Sequence, residues 1–219
     1  MSILRTTNPP RRLLVPEVIQ TSAMDCGPAA LKAALQGFGI AASYARLREA
    51  CQTDVDGTSI DTLEEVANLL GLQAEQMLVP TDHLLIDEPT SLPALVAMQL
   101  PNGLGHFCIA WGMTGPFVQV MDPSTGRRWL RRQQFLTEIF PLTHPFPAED
   151  WREWAGSAGF CAPLQTRLMR LVNGDTKALA TVEQMLADAL DDPDWFPIAR
   201  LDAATRMSES LVQAGGVQR

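Results

Sequence analysis

Hydrophobic residues recur at helical spacing in the first third of the chain. The alanine-rich run ALKAAL predicts a helix that begins near Cys26 and ends at a nearby pair of glycines. Asp25 is a candidate N-cap for this helix, and Pro28 suits its first turn. Residues 43–51 and 58–71 favour two further helices, the second with an apolar stripe and a terminal glycine. This part of the chain is therefore expected to be mostly helical.

The pattern then changes to short apolar runs separated by proline, glycine and asparagine. Such runs are typical of strands, and they predict strands at residues 72–80, 92–100, 106–113 and 117–123. The connections between the last three runs are short enough to join antiparallel neighbours. We therefore expect an α+β domain in which a helical half packs on a twisted antiparallel sheet.

The two ends of the chain differ from this central region. Residues 1–12 are polar, contain a Pro-Pro-Arg-Arg cluster and are predicted to form an extended arm. A proline-rich, aromatic junction separates the central domain, residues 13–147, from a C-terminal helical appendage, residues 148–219. Apolar stripes in that appendage predict helices at residues 176–190 and 197–214.

Composition and charge narrow the class of protein. The 219 residues are 46% hydrophobic and 19% charged, an ordinary balance for a globular protein with a sizeable core. A net charge of -8 disfavours nucleic acid and anionic membranes as partners, because both are polyanions. No apolar run approaches the ~20 residues that cross a bilayer, and the N-terminus lacks a hydrophobic signal core. We therefore expect a cytoplasmic protein without direct membrane insertion.

The cysteines are widely spaced and include no CxxC pair: Cys26, Cys51, Cys108 and Cys161. Because the chain has only three histidines, neither a structural zinc site nor a disulfide framework is indicated, and no metal or cofactor is expected. Cys26 stands apart, since the N–H groups and the positive dipole end at a helix start favour a thiolate, the reactive form. A buried, inert thiol is the alternative interpretation.

A cysteine nucleophile needs a base, and His106 is the best-placed histidine. It follows a Gly-Leu-Gly turn and opens an apolar strand, whereas His83 and His144 lie in segments that look like surface loops. Asp122 ends the next predicted strand, so a tight turn brings it beside His106, where it can orient the imidazole. Taken singly, a strand-end histidine and an aspartate before proline are equally well explained without catalysis.

Gln20 precedes Cys26 by six residues, on the segment that leads into the helix. A side-chain amide at this position can join the Cys26 backbone N–H in stabilising the oxyanion of an acyl-transfer intermediate. An ordinary surface glutamine is the alternative.

Three stretches, QTSAMDCGPAA, GHFCIAWG and VMDPSTGRRW, occur in an order that resembles the peptidase C39 family. These are papain-like cysteine proteases that form the cytosolic N-terminal domain of bacteriocin-exporting ABC transporters. The family motif is Gln, four residues, Asp-Cys, two residues, Ala, and the chain matches it at Gln20, Asp25, Cys26 and Ala29. The resemblance covers residues 13–145 and implies a papain-like fold.

The resemblance also assigns roles within the site. It implies that Cys26 is the nucleophile, His106 the general base, Asp122 its orienting partner and Gln20 the oxyanion-hole donor. These roles agree with those reached from the residues alone.

The function implied is that of a cysteine endopeptidase that cleaves leader peptides after a Gly-Gly pair during maturation and export of a bacteriocin-like peptide. The implied partners are a peptide with an amphipathic leader helix and an ABC exporter at the inner face of the membrane. Because the sequence shows no phosphate-binding loop, either a free-standing member or the front of a longer protein is expected. The alternatives are a non-catalytic peptide-binding module of a secretion complex and a hydrolase or acyltransferase acting on a non-peptide amide.

The chain itself contains a Gly-Gly pair, Gly215-Gly216. Double-glycine leaders of the family carry an apolar anchor four residues before the cut, but here that position is Gln213. We therefore expect this pair to end a helix rather than to mark a site of self-processing.

Overall fold

The structure is a computed structural model that describes residues 2–5, 12–86, 91–100, 102–140, 142–143 and 145–216. The chain divides into two compact units, Met1–Pro141 and Leu142–Arg219. Within the described residues, no helix is long and apolar enough to cross a membrane.

The first unit contains helices and an antiparallel sheet. The helices are α1 (Cys26–Gly37), α2 (Tyr44–Ala50), α3 (Ile60–Leu69), a 3-10 turn (Thr81–Leu85) and α4 (Arg132–Glu138). The strands are β1 (Ser2–Arg5), β2 (Gln73–Gln76), β3 (Ala94–Gln99), β4 (Gly105–Thr114), β5 (Phe117–Asp122) and β6 (Gly126–Arg131). They lie in the order β2-β1-β3-β4-β5-β6. The predicted α+β arrangement is therefore confirmed.

The sheet is larger than the sequence predicts. Ser2–Arg5, in the segment expected to be an arm, forms β1 and pairs with both β2 and β3. Gly126–Arg131 forms β6, which pairs with β5 along its whole length. Its sequence GRRWLR lacks a continuous apolar run, so its place in the sheet depends on the pairing with β5 and not on local pattern.

Helix α1 lies against one face of the sheet through small side chains. Its alanines, among them Ala30 and Ala33, are fully buried and share a core with Leu95, Ile109 and Trp111. The helix ends at Gly37, where an added Cβ would lie 2.3 Å from the indole ring of Trp111. Only glycine fits there, because the Trp111 ring fills the space that a side chain on the helix would need.

The opposite face of the sheet has a second core. It is covered by α4 and the 3-10 turn, and its buried residues include Val96, Cys108, Ala110, Val120 and Phe135. His83 belongs to the 3-10 turn and is only 5% exposed. The expectation that His83 lies in a surface loop is therefore wrong, because the turn folds back against the sheet. His144 lies outside the described residues.

The second unit is helical, with α5 (Ala148–Ala155), α6 (Ala158–Val172), α7 (Thr176–Asp191) and α8 (Trp195–Gln213). The predicted helices correspond to α7 and α8, whereas α5 and α6 were not predicted, since α6 contains a proline and α5 is short. A buried Arg167 pairs with Asp202 at 3.1 Å inside this unit. Gly215 follows α8 with φ of 73° and Gly216 N–H donates to the Leu211 carbonyl, so the glycine pair ends the helix.

Candidate active site

Cys26 is the first residue of α1, and its side chain is half-buried. Burial alone would raise the pKa of its thiol, but hydrogen bonds with His106 and with the Phe107 and Gly27 backbone outweigh that effect and lower the pKa. The hydrogen bond with His106 is the largest of the effects that lower this pKa, and the Gly27 N–H at the helix start adds to it, so the environment favours the thiolate.

His106 is the second residue of β4, where it pairs with Met98 of β3. Its Nε2 lies 2.9 Å from Oδ1 of Asp122, and both side chains are almost fully buried. Burial acts to lower the pKa of His106, but hydrogen bonds with Asp122, Cys108 and Cys26 raise it overall. The imidazole therefore lies between a carboxylate and the Cys26 thiol.

Asp122 ends β5, and the turn that follows fixes its carboxylate. Oδ1 also accepts from the Ser124 backbone N–H at 2.8 Å and from the Ser124 hydroxyl at 2.6 Å. Oδ2 faces Nη1 of Arg128 at 3.4 Å, and Arg128 also pairs with Glu138 at 3.0 Å. Burial would raise the pKa of Asp122, but hydrogen bonds from His106 and Ser124 lower it, so the carboxylate is ionised.

Gln20 lies on a segment that is tied to both sides of the site. Its backbone N–H donates to the Pro123 carbonyl at 2.9 Å, directly after Asp122. The next residue, Thr21, donates its hydroxyl to Oδ2 of Asp25 at 2.7 Å, directly before Cys26. The Oε1 atom of Gln20 is buried and has no hydrogen-bond partner among the described residues.

Asp25 occupies the N-cap position of α1 but does not cap the helix with its side chain. The carboxylate is fully buried, and besides the Thr21 hydroxyl it has Nε of Arg48 at 2.8 Å from Oδ1. Burial would raise the pKa of Asp25, but the hydrogen bonds from Thr21 and Ser22 and the charge of Arg48 lower it. The predicted capping role is thus replaced by a link to the Gln20 segment.

A second thiol lies beside the imidazole. Cys108 is 1% exposed, shares a hydrogen bond with His106 and has its pKa raised by burial to about 11. The sequence contained a signal for this contact, because residues two apart on a strand point to the same side of the sheet. Sequence reasoning also missed Thr21, Ser124 and Arg128, whose roles depend on turns that only the fold defines.

The arrangement can perform nucleophilic catalysis on an acyl group. A thiol at a helix start faces an imidazole, and a buried carboxylate holds that imidazole from the other side. Nucleophilic catalysis by cysteine needs three such groups: a thiol that attacks, a base that takes its proton, and a partner that orients the base.

These features define the class of protein: a papain-like α+β fold with a cysteine–histidine–aspartate arrangement. The chain belongs to the peptidase C39 family, whose model matches residues 15–140.

Similar proteins include larger transporters. The transport/processing ATP-binding protein ComA of Streptococcus pneumoniae strain R6 is 31% identical over 146 residues, which are 66% of this chain and 18% of ComA. The pediocin PA-1 transport/processing ATP-binding protein PedD of Pediococcus acidilactici is 32% identical over 104 residues, 48% of this chain and 14% of PedD. The chain thus spans less than a fifth of the length of either relative.

Solved structures share the fold. The peptidase domain of Streptococcus ComA matches with a TM-score of 0.50 and 27% identity, over 57% of this chain and 92% of that domain. A double glycine motif protease from an AMS/PCAT transporter, solved with its leader peptide, matches with a TM-score of 0.51 and 21% identity, over 63% of this chain and 92% of the protease.

Proposed function

We propose that this chain is a cysteine peptidase that cleaves leader peptides after a Gly-Gly pair, on the cytoplasmic side of a membrane and next to an ABC exporter. The observation that carries the proposal is the hydrogen-bonded series Cys26, His106 and Asp122 in a member of the peptidase C39 family.

The residues of the site suit the steps of peptide-bond hydrolysis. The Cys26 thiolate attacks the carbonyl carbon of the second glycine, and the Cys26 backbone N–H and the Gln20 amide stabilise the oxyanion. His106 then gives its proton to the leaving amine and takes one from the water that hydrolyses the thioester. Asp122 keeps the imidazole oriented through the 2.9 Å bond to Nε2.

The substrate class is supported by the relatives. ComA and PedD are transport/processing proteins, and the solved double glycine motif protease holds a leader peptide. Specificity for Gly-Gly requires that the passage over the cysteine–histidine pair admit glycine and exclude larger side chains. Exposed apolar residues flank Gln20 and Cys26, namely Ile19 and Met24, and they offer contacts to an amphipathic leader helix.

Cleavage of a synthetic leader peptide tests the catalytic roles. Cys26→Ala and His106→Ala should each abolish turnover, and Gln20→Ala should raise the barrier by about 2.7–4 kcal/mol if its amide binds the oxyanion. Cys161→Ala, which removes a thiol from the second unit, is the control and should cleave at the wild-type rate. Turnover that persists in Cys26→Ala would exclude the proposed nucleophile, and wild-type protein that binds the leader without cutting it would indicate a peptide-binding module.

Two altered leaders test the recognition model. One keeps Gly-Gly but has its apolar helix positions replaced by serine, and the other keeps the helix but carries Ala-Val in place of Gly-Gly. Both should be cut poorly, because the helix supplies binding energy and the glycines supply access to the site. Efficient cleavage of either leader would contradict recognition in two parts.

A further inference from the structure

Three buried side chains with different metal-binding atoms meet at the end of strands β4 and β5. A ring nitrogen of His106, the sulfur of Cys108 and a carboxylate oxygen of Asp122 lie within 4.8 Å of one another. Each of these residues is at most 5% exposed. Cysteine, histidine and aspartate are the side chains that bind zinc in proteins.

We propose that His106, Cys108 and Asp122 form a Zn²⁺ site, and that zinc bound there switches off the peptidase. The first part of this inference needs only the three side chains. The second part rests on the proposed function.

The separations suit a small ion with short bonds. Zinc holds sulfur at about 2.3 Å and nitrogen or oxygen at about 2.0–2.2 Å, so two ligand atoms of a tetrahedral site lie about 3.3–3.6 Å apart. The His106–Asp122 distance is 2.9 Å, and the largest separation in the group is below 4.8 Å. Side-chain movements that shift the ligand atoms by a fraction of an ångström to about one ångström would therefore bring them to coordination distance without a change in the backbone.

The strands limit which residues can take part. Ile109 of β4 pairs with Met121 of β5, and this register places Cys108 level with Asp122 on the adjacent strand. Cys108 and His106 are two residues apart on β4 and so share one side of the sheet. Hydrogen bonds across the sheet fix all three backbones, which reduces the entropy that zinc binding would otherwise cost.

The chemistry favours zinc over the alkaline-earth ions. Magnesium and calcium prefer oxygen ligands, whereas a set of one thiolate, one imidazole and one carboxylate matches zinc. With neutral His106, the two anionic ligands balance the charge of the ion. Three protein ligands leave a fourth position for water or for the nearby Cys26 thiol.

The surroundings give the ion a route and support the ligands. Asp122 lies in the wall of a cavity of about 930 Å³, which Glu138 and Arg128 also line. Ser124 holds the Asp122 carboxylate through two hydrogen bonds, and zinc ligands are commonly fixed by such partners. Binding would displace the Cys108 thiol proton and the proton between His106 and Asp122.

Occupation of the site would stop catalysis for a simple reason. The ion would take the place of the hydrogen bond that orients His106 and would engage an imidazole needed for proton transfer. Cys108 determines the affinity for the ion, because without its sulfur only two ligands remain, the imidazole and the carboxylate.

Cobalt binding tests the site without any measurement of peptidase activity. Co²⁺ substitutes for Zn²⁺ and gives a charge-transfer absorption when a thiolate is bound to it. The full chain with Cys26→Ala should show that absorption and lose it when zinc is added, because Cys108 is then the thiolate beside the imidazole. Adding Cys108→Val, or Cys108→Ser should the valine variant fail to fold, should remove the absorption. A band that persists without Cys108, or no band in the Cys26→Ala protein, would overturn the site.

Inhibition of leader cleavage tests the consequence. Zinc should inhibit the wild-type chain, and a chelator should restore the rate. In Cys108→Val the zinc concentration that halves the metal-free rate of that same protein should rise at least tenfold, whereas Cys161→Ala should behave as wild type. Equal inhibition of wild type and Cys108→Val would overturn the regulatory role. A chain that binds cobalt through Cys108 yet never cleaves a leader would contradict the proposed function alone.

Discussion

The Thr21 hydroxyl donates a 2.7 Å hydrogen bond to the buried carboxylate of Asp25, one residue before Cys26. The neighbouring Gln20 is held from the other side, because its N–H donates to the Pro123 carbonyl. The segment with the proposed oxyanion donor is thus tied to the two segments that carry the proposed nucleophile and its proposed orienting carboxylate. The position of the Gln20 side-chain amide therefore depends on hydrogen bonds made by the Gln20 backbone and by Thr21, not by the amide itself.

Thr21→Val should lower kcat for leader cleavage about tenfold and change KM little. A hydrogen bond to a charged group contributes about 1.5–3 kcal/mol. If about 1.4 kcal/mol of this is lost from the stabilisation of the transition state, the rate falls about tenfold. Thr21→Ser keeps the hydroxyl and serves as the matched control, with a rate near that of wild type. Equal rates for the valine and serine variants would show that the bond does not position the site.

Asp25 should make the stability of the first unit depend on pH. Its pKa in the folded chain lies below the ordinary value of 3.8, so its ionised form stabilises the fold at every pH above that value. As the pH falls below 3.8 and through the folded pKa, this contribution is lost. The free energy of unfolding of wild type should therefore exceed that of Asp25→Asn by a constant amount near neutrality, and the gap should shrink in acid.

Urea unfolding of the full chain at a series of pH values measures this gap. The exposed Asp56 provides the control, since Asp56→Asn removes a carboxylate from the surface. A gap between wild type and Asp25→Asn that is unchanged in acid would contradict a stabilising buried carboxylate.

Gly37→Ala should destabilise the first unit by about 1–3 kcal/mol, the usual cost of overpacking a core. The new Cβ would lie 2.3 Å from the Trp111 ring, whose nitrogen is itself held by a 2.9 Å bond to the Arg12 carbonyl. Gly159→Ala in α6 is the matched helical control, because its nearest neighbour atom is 3.6 Å away. Denaturant unfolding should show a loss for Gly37→Ala and none for Gly159→Ala, and similar values for both would mean that the indole moves aside.

The domain boundary near residue 147 is a prediction that truncation can check. A chain ending at Pro147 should unfold cooperatively and cleave the leader peptide, because the first unit has its own cores on both faces of the sheet. A shortened chain without a cooperative thermal transition would place the boundary elsewhere.

Elements with a strong local pattern were predicted well from the sequence. The apolar stripe of α3 predicts that helix, and in the structure the Ser59 side chain caps it by accepting from the Thr62 N–H. The hairpin of β4 and β5 follows from two apolar runs joined by a tight turn. In contrast, β1 and β6 have weak patterns of their own and exist as strands because partners with free edges lie next to them.

The candidate site divides in the same way. The sequence by itself determined Cys26 at the start of a helix, with His106 and Asp122 at the ends of adjacent strands, because local spacing and turn length fix where each residue lies on its element. Only the tertiary structure decided that the Gln20 segment is tied to Pro123 beside Asp122, and that Cys26 lies against the His106 imidazole. Those contacts join segments far apart in sequence, and their formation depends on strand register and on the packing of α1 against the sheet. No local pattern of hydrophobic and polar residues encodes either of these.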